Sequence, residues 1–415
     1  MMRKLQLSLG MLAVAGAAAG EETGERPHQT SYGELSVLEE YRDPAQRTGH
    51  LAMAPAIDAL QPYFNFKASL SERAGIHYVV EYAPLFQTQL DGGAGNTAGD
   101  EANFILKWTP TVADSDDENG LLAWYQFQNT FTEHNTSEFM QRMGVLSPLN
   151  GGVTGEGNGS SDFLQHFAWE QHFGERWRLM AGKLTSRVLL NLNRYAISDR
   201  EDFFSPMLVN NPVVPYTGRL GLGAFVEYKE EQWYVSTMVR QAGGTSQWFE
   251  FDELHADELE YVAEIALTPE NVFGLGEGVY RFTPSWTDAV GDGVAAQPSG
   301  WSISVSADQD IGDKLGALFR YAYANEDFRD FKQRLSLGAQ IKQPLGMQND
   351  RIGVGAWWGE PTDRDLDGEY GLDAFWMIQV APFMELSADL QLVLDPALSN
   401  RNQAWMGGLR MRFVF

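Results

Sequence analysis

The final eleven residues alternate without a break. Trp405, Gly407, Leu409, Met411, Phe413 and Phe415 fall on one face, and Met406, Gly408, Arg410, Arg412 and Val414 on the other. Successive side chains of a β-strand point to opposite sides, so this stretch is a strand with one apolar face and one face carrying two arginines. A strand that closes a membrane barrel has this character, because one side meets lipid and the other a wet lumen. A soluble sheet seldom tolerates so apolar a face opposite so basic a one.

The same split recurs upstream. Leu220, Leu222, Ala224, Val226 and Tyr228 oppose a polar or small set broken only by Phe225. Leu259 to Leu267, Trp301 to Asp308, Arg334 to Lys342 and Leu386 to Leu394 repeat the pattern, each long enough for a membrane strand. Short turn signals at Lys229-Glu230-Glu231, Ile311-Gly312-Asp313 and Ala381-Pro382-Phe383 alternate with longer connections. The longer ones fall at 132–160, 186–217, 243–257, 282–298 and 359–369. Alternating short and long connections describe an all-β, transmembrane, antiparallel up-and-down barrel. About seventeen strand candidates follow residue 60, and bacterial single-chain barrels use an even number. The reading is sixteen strands, with eighteen the second choice and Tyr63 to Leu70 the weakest candidate.

Arg3 and Lys4 precede an apolar run from Leu5 to Ala15 and the small residues Ala17-Ala18-Ala19-Gly20. This predicts a secretory signal peptide over 1–19, too short to span a bilayer as a helix. Residues 20–58 lack sustained alternation and read as a periplasmic leader or plug, with a short helix within Glu34 to Arg42. The barrel is expected over 59–415. Twelve Trp, 15 Tyr and 24 Phe suit the aromatic girdles of an outer-membrane barrel.

A net charge of −26 argues against nucleic acid as a partner, since neutralising phosphates needs a basic face. Much of the acid lies between strands, at 114–118, 250–260 and 363–369, where it is hydrated. With no cysteine, disulfides and cysteine-ligated metals are excluded. Asp363 to Gly368 matches half of a calcium loop, but Ala374 stands where a bidentate glutamate belongs, so a solvated acidic loop is the reading. His166, Glu170 and His172 share a strand face yet are spread over several steps, which lumen polarity explains without a metal. No cofactor or metal is expected. No nucleophile motif appears either.

A barrel of this size leaves an aqueous channel. Its inward parity carries both signs: Arg219, Arg240, Arg320, Arg334, Arg410 and Arg412 against Glu227, Glu264, Asp308, Asp373 and Asp389. Opposed charges across a pore orient dipolar solutes rather than select one ion sign. Trp124 and Trp357 are the lumen aromatics best suited to stack on a sugar ring. The channel lining is assigned to Arg219, Glu227, Arg240, Arg320, Arg334, Asp389, Trp124 and Trp357. The connection Ser186 to Thr217, stiffened by Pro206, Pro212 and Pro215, carries Asn191, Asn193, Arg194, Asp199, Arg200 and Asp202. Its apolar Val188-Leu189-Leu190 and Phe203-Phe204 need burial, so it is expected to fold into the pore as a constriction.

Gly182-Lys183-Leu184, Asn193-Arg194-Tyr195-Ala196 and Asp202-Phe203-Phe204 resemble the central segment of carbohydrate-selective porins of the OprB type. Asp389-Leu390-Gln391 through Asp395-Pro396, then Trp405 to Phe413, resemble that family's ending. The resemblance covers approximately residues 170 to 415. It implies a sixteen-stranded outer-membrane channel for monosaccharides and similar small hydrophilic solutes, with a constriction of arginine, acid and aromatic groups. Expected partners are small sugars, outer-membrane lipid and lipopolysaccharide, and the barrel assembly machinery, with a homotrimer left open. The alternatives are a barrel enzyme acting on lipid and a general or acid-selective pore.

Overall fold

A computed structural model describes residues 37–40, 47–110, 119–150, 160–216, 220–244, 249, 251, 255–291 and 297–415. The signal-peptide segment and most of 20–58 lie outside them. Sixteen strands form the wall: β1 Ile76–Gln89, β2 Asn96–Trp108, β3 Gly120–Thr130, β4 Ser160–Phe173, β5 Trp177–Thr185, β6 Leu220–Lys229, β7 Trp233–Gln241 and β8 Leu259–Leu267. The second half comprises β9 Gly278–Thr287, β10 Gly300–Ile311, β11 Leu315–Ala324, β12 Phe331–Lys342, β13 Arg351–Pro361, β14 Glu369–Ala381, β15 Met384–Leu394 and β16 Gln403–Val414. Each pairs antiparallel with its neighbours in sequence, and β1 closes on β16 through Tyr82↔Phe413 and Leu85↔Arg410. Closure leaves no strand edge to be satisfied in lipid, which has no water to do it.

Alternation sets the two faces. In β16, Ala404, Met406, Arg410, Arg412 and Val414 are buried inside while Leu409 is exposed outside. Trp108, Phe173, Trp177 and Trp233 lie exposed near one end, and Tyr261, Trp286, Trp301 and Tyr370 near the other. These are two aromatic girdles around an apolar band. Turns of a few residues such as 230–232, 312–314 and 382–383 join strands at the end where β1 begins, here called the short-turn end. Opposite lie the long connections, including 131–159, 186–219 and 242–258. Two are shorter than expected because β9 runs on to Thr287 and β13 to Pro361.

Tyr63 to Leu70 is not a strand. It lies within a helix, and the wall begins at Ile76 rather than residue 59. Helix α1 spans Val37–Glu40 and α2 spans Ala54–Ala74. Eight residues of α2 alternate by chance, whereas the longer run Ile57, Leu60, Phe64, Lys67 and Ser71 repeats every three to four residues. Gly75 ends α2 at φ 65°, its N–H bonded to the carbonyls of Leu70 and Ser71. No helix among the described residues is long and apolar enough to cross a membrane, a statement that does not concern the strands.

Candidate functional site

The connection after β5 folds into the barrel. Its base is closed by Ser186, whose hydroxyl donates to the carbonyl of Tyr216 at 2.7 Å. Val188, Leu189, Leu190, Phe203, Phe204, Met207, Leu208, Val213 and Val214 are all buried. So apolar a segment has no stable place in water above the rim, and burying it against the wall supplies the driving force. A 3₁₀ turn at Ser186–Val188 and the short helix α3, Pro206–Val209, capped by the Ser205 hydroxyl, give it local order.

The wall receives the loop on small residues. A Cβ on Gly316 would collide with the Tyr195 ring, one on Gly355 would lie 2.6 Å from Leu208, and one on Gly408 3.0 Å from Phe204. The Phe203 and Phe375 rings meet edge to face at 4.9 Å. Inward glycines are therefore seats for the loop's large side chains.

Polar contacts then fasten the loop around the circumference. Arg200 pairs with Glu81 of β1 at 2.9 Å and with Glu101 of β2 at 3.0 Å. Asn191 N–H donates to Glu264 of β8 at 2.7 Å, and the Asn193 amide donates to the Ala307 carbonyl of β10 at 3.0 Å. Arg194 pairs with Asp308 and with Asp310 of β10, the latter at 3.2 Å. Asp202 accepts from Arg351 of β13 at 3.1 Å and from Gln340 of β12 at 3.0 Å. Asp199 lies 3.4 Å from Arg187 within the loop, and its carbonyl accepts from Arg410. Ser205 N–H donates to Asp373 of β14 at 2.9 Å. The Ser205 hydroxyl donates to the Pro148 carbonyl, joining this loop to residues 131–150, which also enter the mouth. That second loop is fixed by Leu146 and Ser147 N–H groups on Glu369, 2.8 Å each.

The residues assigned to the lining all point inward where they are described, but most are already engaged. Arg320 donates to the carbonyls of Leu208 at 2.7 Å and Asn191 at 3.1 Å. Arg334 donates to Met207 at 2.8 Å and Pro206 at 3.2 Å. These two arginines hold the loop's backbone rather than face solute as free donors. Arg240 pairs with Glu260 at 2.7 Å and donates to the Leu184 carbonyl, at the root of the loop. Glu227 faces Arg178 at 3.3 Å, and Asp389 accepts from Gln391 at 2.9 Å. Trp124 is fully buried; its indole N–H donates to Asn103 at 2.7 Å, and Arg187 and Arg200 lie 5.8 and 5.4 Å from its ring centre. Trp357 is inward and rests over Gly371. Arg219 lies outside the described residues.

Sequence reading missed Glu81, Glu101, Glu201 and Glu385, which hold the loop from the wall and within it. Glu81 and Glu101 have inward parity in β1 and β2, a signal present in the N-terminal third but not used. Glu170 pairs with His172 at 2.9 Å and with Arg178 at 3.8 Å, so that strand face belongs to an ion-pair cluster. Among the described residues no group of three or more His, Cys, Asp or Glu is placed to hold a metal ion.

A deep lumen, crossed by a loop fixed to opposite walls and lined with paired charges, is a diffusion channel with a built-in narrowing. Comparison with solved structures gives Pseudomonas putida OprB at high pH, TM-score 0.68 and 13% identity, covering 85% of this chain and 97% of that one. The same protein at low pH matches with TM-score 0.52 and 14% identity over 89% and 99%. The anion-selective porin from Comamonas acidovorans matches with TM-score 0.54 and 10% identity over 82% and 99%. At such identities these likenesses speak for the fold. No curated relative matches. The model of the carbohydrate-selective porin, OprB family, matches residues 152–415. The chain therefore belongs to that family and is an outer-membrane β-barrel channel through which sugars diffuse.

Proposed function

We propose that the solute is a neutral monosaccharide or a similar small hydroxyl-rich molecule, and that selection occurs where the 186–216 loop narrows the lumen. The observation that carries this reading is the fastening of that loop by groups of both signs. Arg200 lies between Glu81 and Glu101, while Arg194 lies beside Asp308 and Asp310. Paired charges produce a transverse field with little net sign, which favours dipoles over ions of either charge. Most of these groups are buried and act on the passage through that field, not by touching solute. Arg187, which keeps partial exposure beside the buried Trp124, is the loop side chain best placed to meet solute.

Asn191, Asn193, Arg194, Asp199, Arg200 and Asp202 then serve as the frame of the constriction more than as its lining. Arg240, Arg320 and Arg334 set its position, and Glu227 and Asp389 brace the wall beside it. Outer-membrane lipid, with lipopolysaccharide around the long connections, faces the apolar band, and the barrel assembly machinery of a Gram-negative cell inserts the chain. Whether copies associate as a trimer is tested by mass in detergent.

Planar-bilayer recording combined with liposome swelling tests the proposal. Glucose is expected to reduce ion current in a saturable way and to permeate faster than an amino acid of similar size, with weak ion selectivity. Equal rates at matched size would leave a general pore, and strong anion preference an acid channel. A silent barrel with esterase activity would replace the channel reading with an enzyme.

A further inference from the structure

The inner wall of β1 to β3 is not uniformly polar. Val79, Ile105 and Leu122 point inward near the short-turn end, and all are buried. Apolar side chains in a water-filled lumen need cover. Val37 and Leu38 of α1, which lies against β1 and β2, belong to the same buried cluster, and Val37 is wholly inaccessible. Outward-facing residues of the wall are exposed, so this cluster and α1 are inside the barrel.

After α1 the described chain resumes at Arg47 on the opposite side of the seam. His50 N–H donates to Gln379 at 3.0 Å and Leu51 N–H to Val380 at 2.8 Å, which extends the pairing at the end of β14. His50 Nε2 lies 2.7 Å from Asp350, and Gly49 approaches Ala381 so closely that a Cβ would stand 2.6 Å from its Cα. Arg47 is mostly buried; it donates to Gln379 at 2.6 Å and pairs with Glu385 at 3.2 Å.

Glu385 leads onward to the constriction. Its other oxygen pairs with Arg412 at 3.0 Å, and Arg412 pairs with Glu201 of the loop at 3.0 Å and with Glu81 at 2.9 Å. Glu81 also holds Arg200 of the loop. We infer that α1 forms an internal second constriction at the short-turn end, that residues 47–51 anchor it on the rim, and that Arg47, Glu385 and Arg412 are positioning residues that set it and the 186–216 loop together. Glu385, Arg412, Glu81 and Glu201 are buried and Arg47 mostly so, and a buried carboxylate that loses one of two cations leans harder on the other. Removing Arg47 therefore acts at both ends: it loosens the N-terminal segment, which keeps only its pairing with β14 and the His50–Asp350 contact there, and it leaves Glu385 to draw Arg412 away from Glu201.

This inference rests on the loop being the selective narrowing, and its test separates the two. The native chain has no cysteine, so Val37→Cys in the full-length protein gives a single thiol. Its reaction with a cationic methanethiosulfonate reagent is compared with that of Phe66→Cys on the exposed side of α2, alone and combined with Arg47→Ala or Arg47→Lys. Val37→Cys is expected to react at least about tenfold more slowly than Phe66→Cys, and Arg47→Ala to remove most of that protection, with Arg47→Lys in between. In bilayers Arg47→Ala should raise conductance and also weaken the current block by glucose. Equal rates at the two cysteines in the parent would show that the segment is not seated. Unchanged Val37→Cys protection in Arg47→Ala would refute the ion pair as its fastening, and a faster thiol with unaltered glucose block would refute the coupling to the loop. Loss of glucose block in the parent itself would sink the sugar reading, while the thiol rates would still report the second constriction.

Discussion

Arg320 and Arg334 show how one side chain can fix an aperture without touching what passes through it. A guanidinium has five N–H donors in a rigid fork, and here they meet backbone carbonyls of the loop from Pro206 to Leu208. Alanine at either position leaves those carbonyls to water. Each change is expected to weaken loop attachment by about 1.5–3 kcal/mol, the scale of hydrogen bonds to charged groups. Single-channel recordings should show higher conductance with more open-channel noise, while heat-modifiable mobility of the barrel stays normal. Gly316 gives a complementary case. Gly316→Val should displace Tyr195 and alter the channel, whereas Gly407→Ala, whose Cβ would meet Leu90 only at 3.5 Å, should leave conductance unchanged. These seats are visible in sequence only as small residues on the inward parity. Parity assigns a residue to a face, but it does not say what stands opposite, so the arginines' partners were not legible.

At the scale of elements, α2 carries a titration of its own. Lys67 packs against the rings of Tyr63 and Tyr78, 5.8 and 5.3 Å from their centres, with no hydrogen-bond partner for its ammonium among the described residues. Burial outweighs the attraction of the rings and pulls its pKa down to about 8. A helix detached from the wall restores the ordinary lysine value, so between those values the detached form binds more protons. Packing of α2 therefore strengthens as pH rises from about 8 toward the ordinary lysine range, and is weakest below it. Hydrogen exchange across 54–74 should slow with pH in that window once intrinsic rates are corrected. Lys67→Met should protect the helix at neutral pH and abolish the trend. The strands were legible because lipid and water enforce period two along each of them. α2 was not, because over eight residues a helix and a strand can share an apolar pattern and only a longer run separates them.

The molecule as a whole depends on the seam between its first and last strands. Beyond the paired residues of β1 and β16, Val80 and Phe415 exchange backbone hydrogen bonds of 2.9 Å in both directions, and the Phe415 ring stacks on Phe383 at 5.5 Å. Phe415→Asp places a charge at that junction beside the apolar band. It is expected to reduce the membrane-inserted, heat-modifiable fraction several-fold without changing the conductance of channels that do insert. Strand number and the family-like segments after residue 170 could be read from the chain alone, since both rest on local pattern. The relay from Arg47 to Glu201 could not, because it joins positions more than a hundred residues apart whose heights in the barrel no pattern reports.

Fastening the loop to β1 and β2 on one side and to β10 and β11 on the other has a mechanical consequence. A hollow sheet of sixteen strands bends most easily by flattening from a circle to an oval, a motion that hydrogen bonds between neighbours hardly resist. A strut across the diameter resists it directly. The segment that sets the bore thus also keeps the cylinder round, so any squeeze from the surrounding bilayer must compress the strut before it reaches the passage.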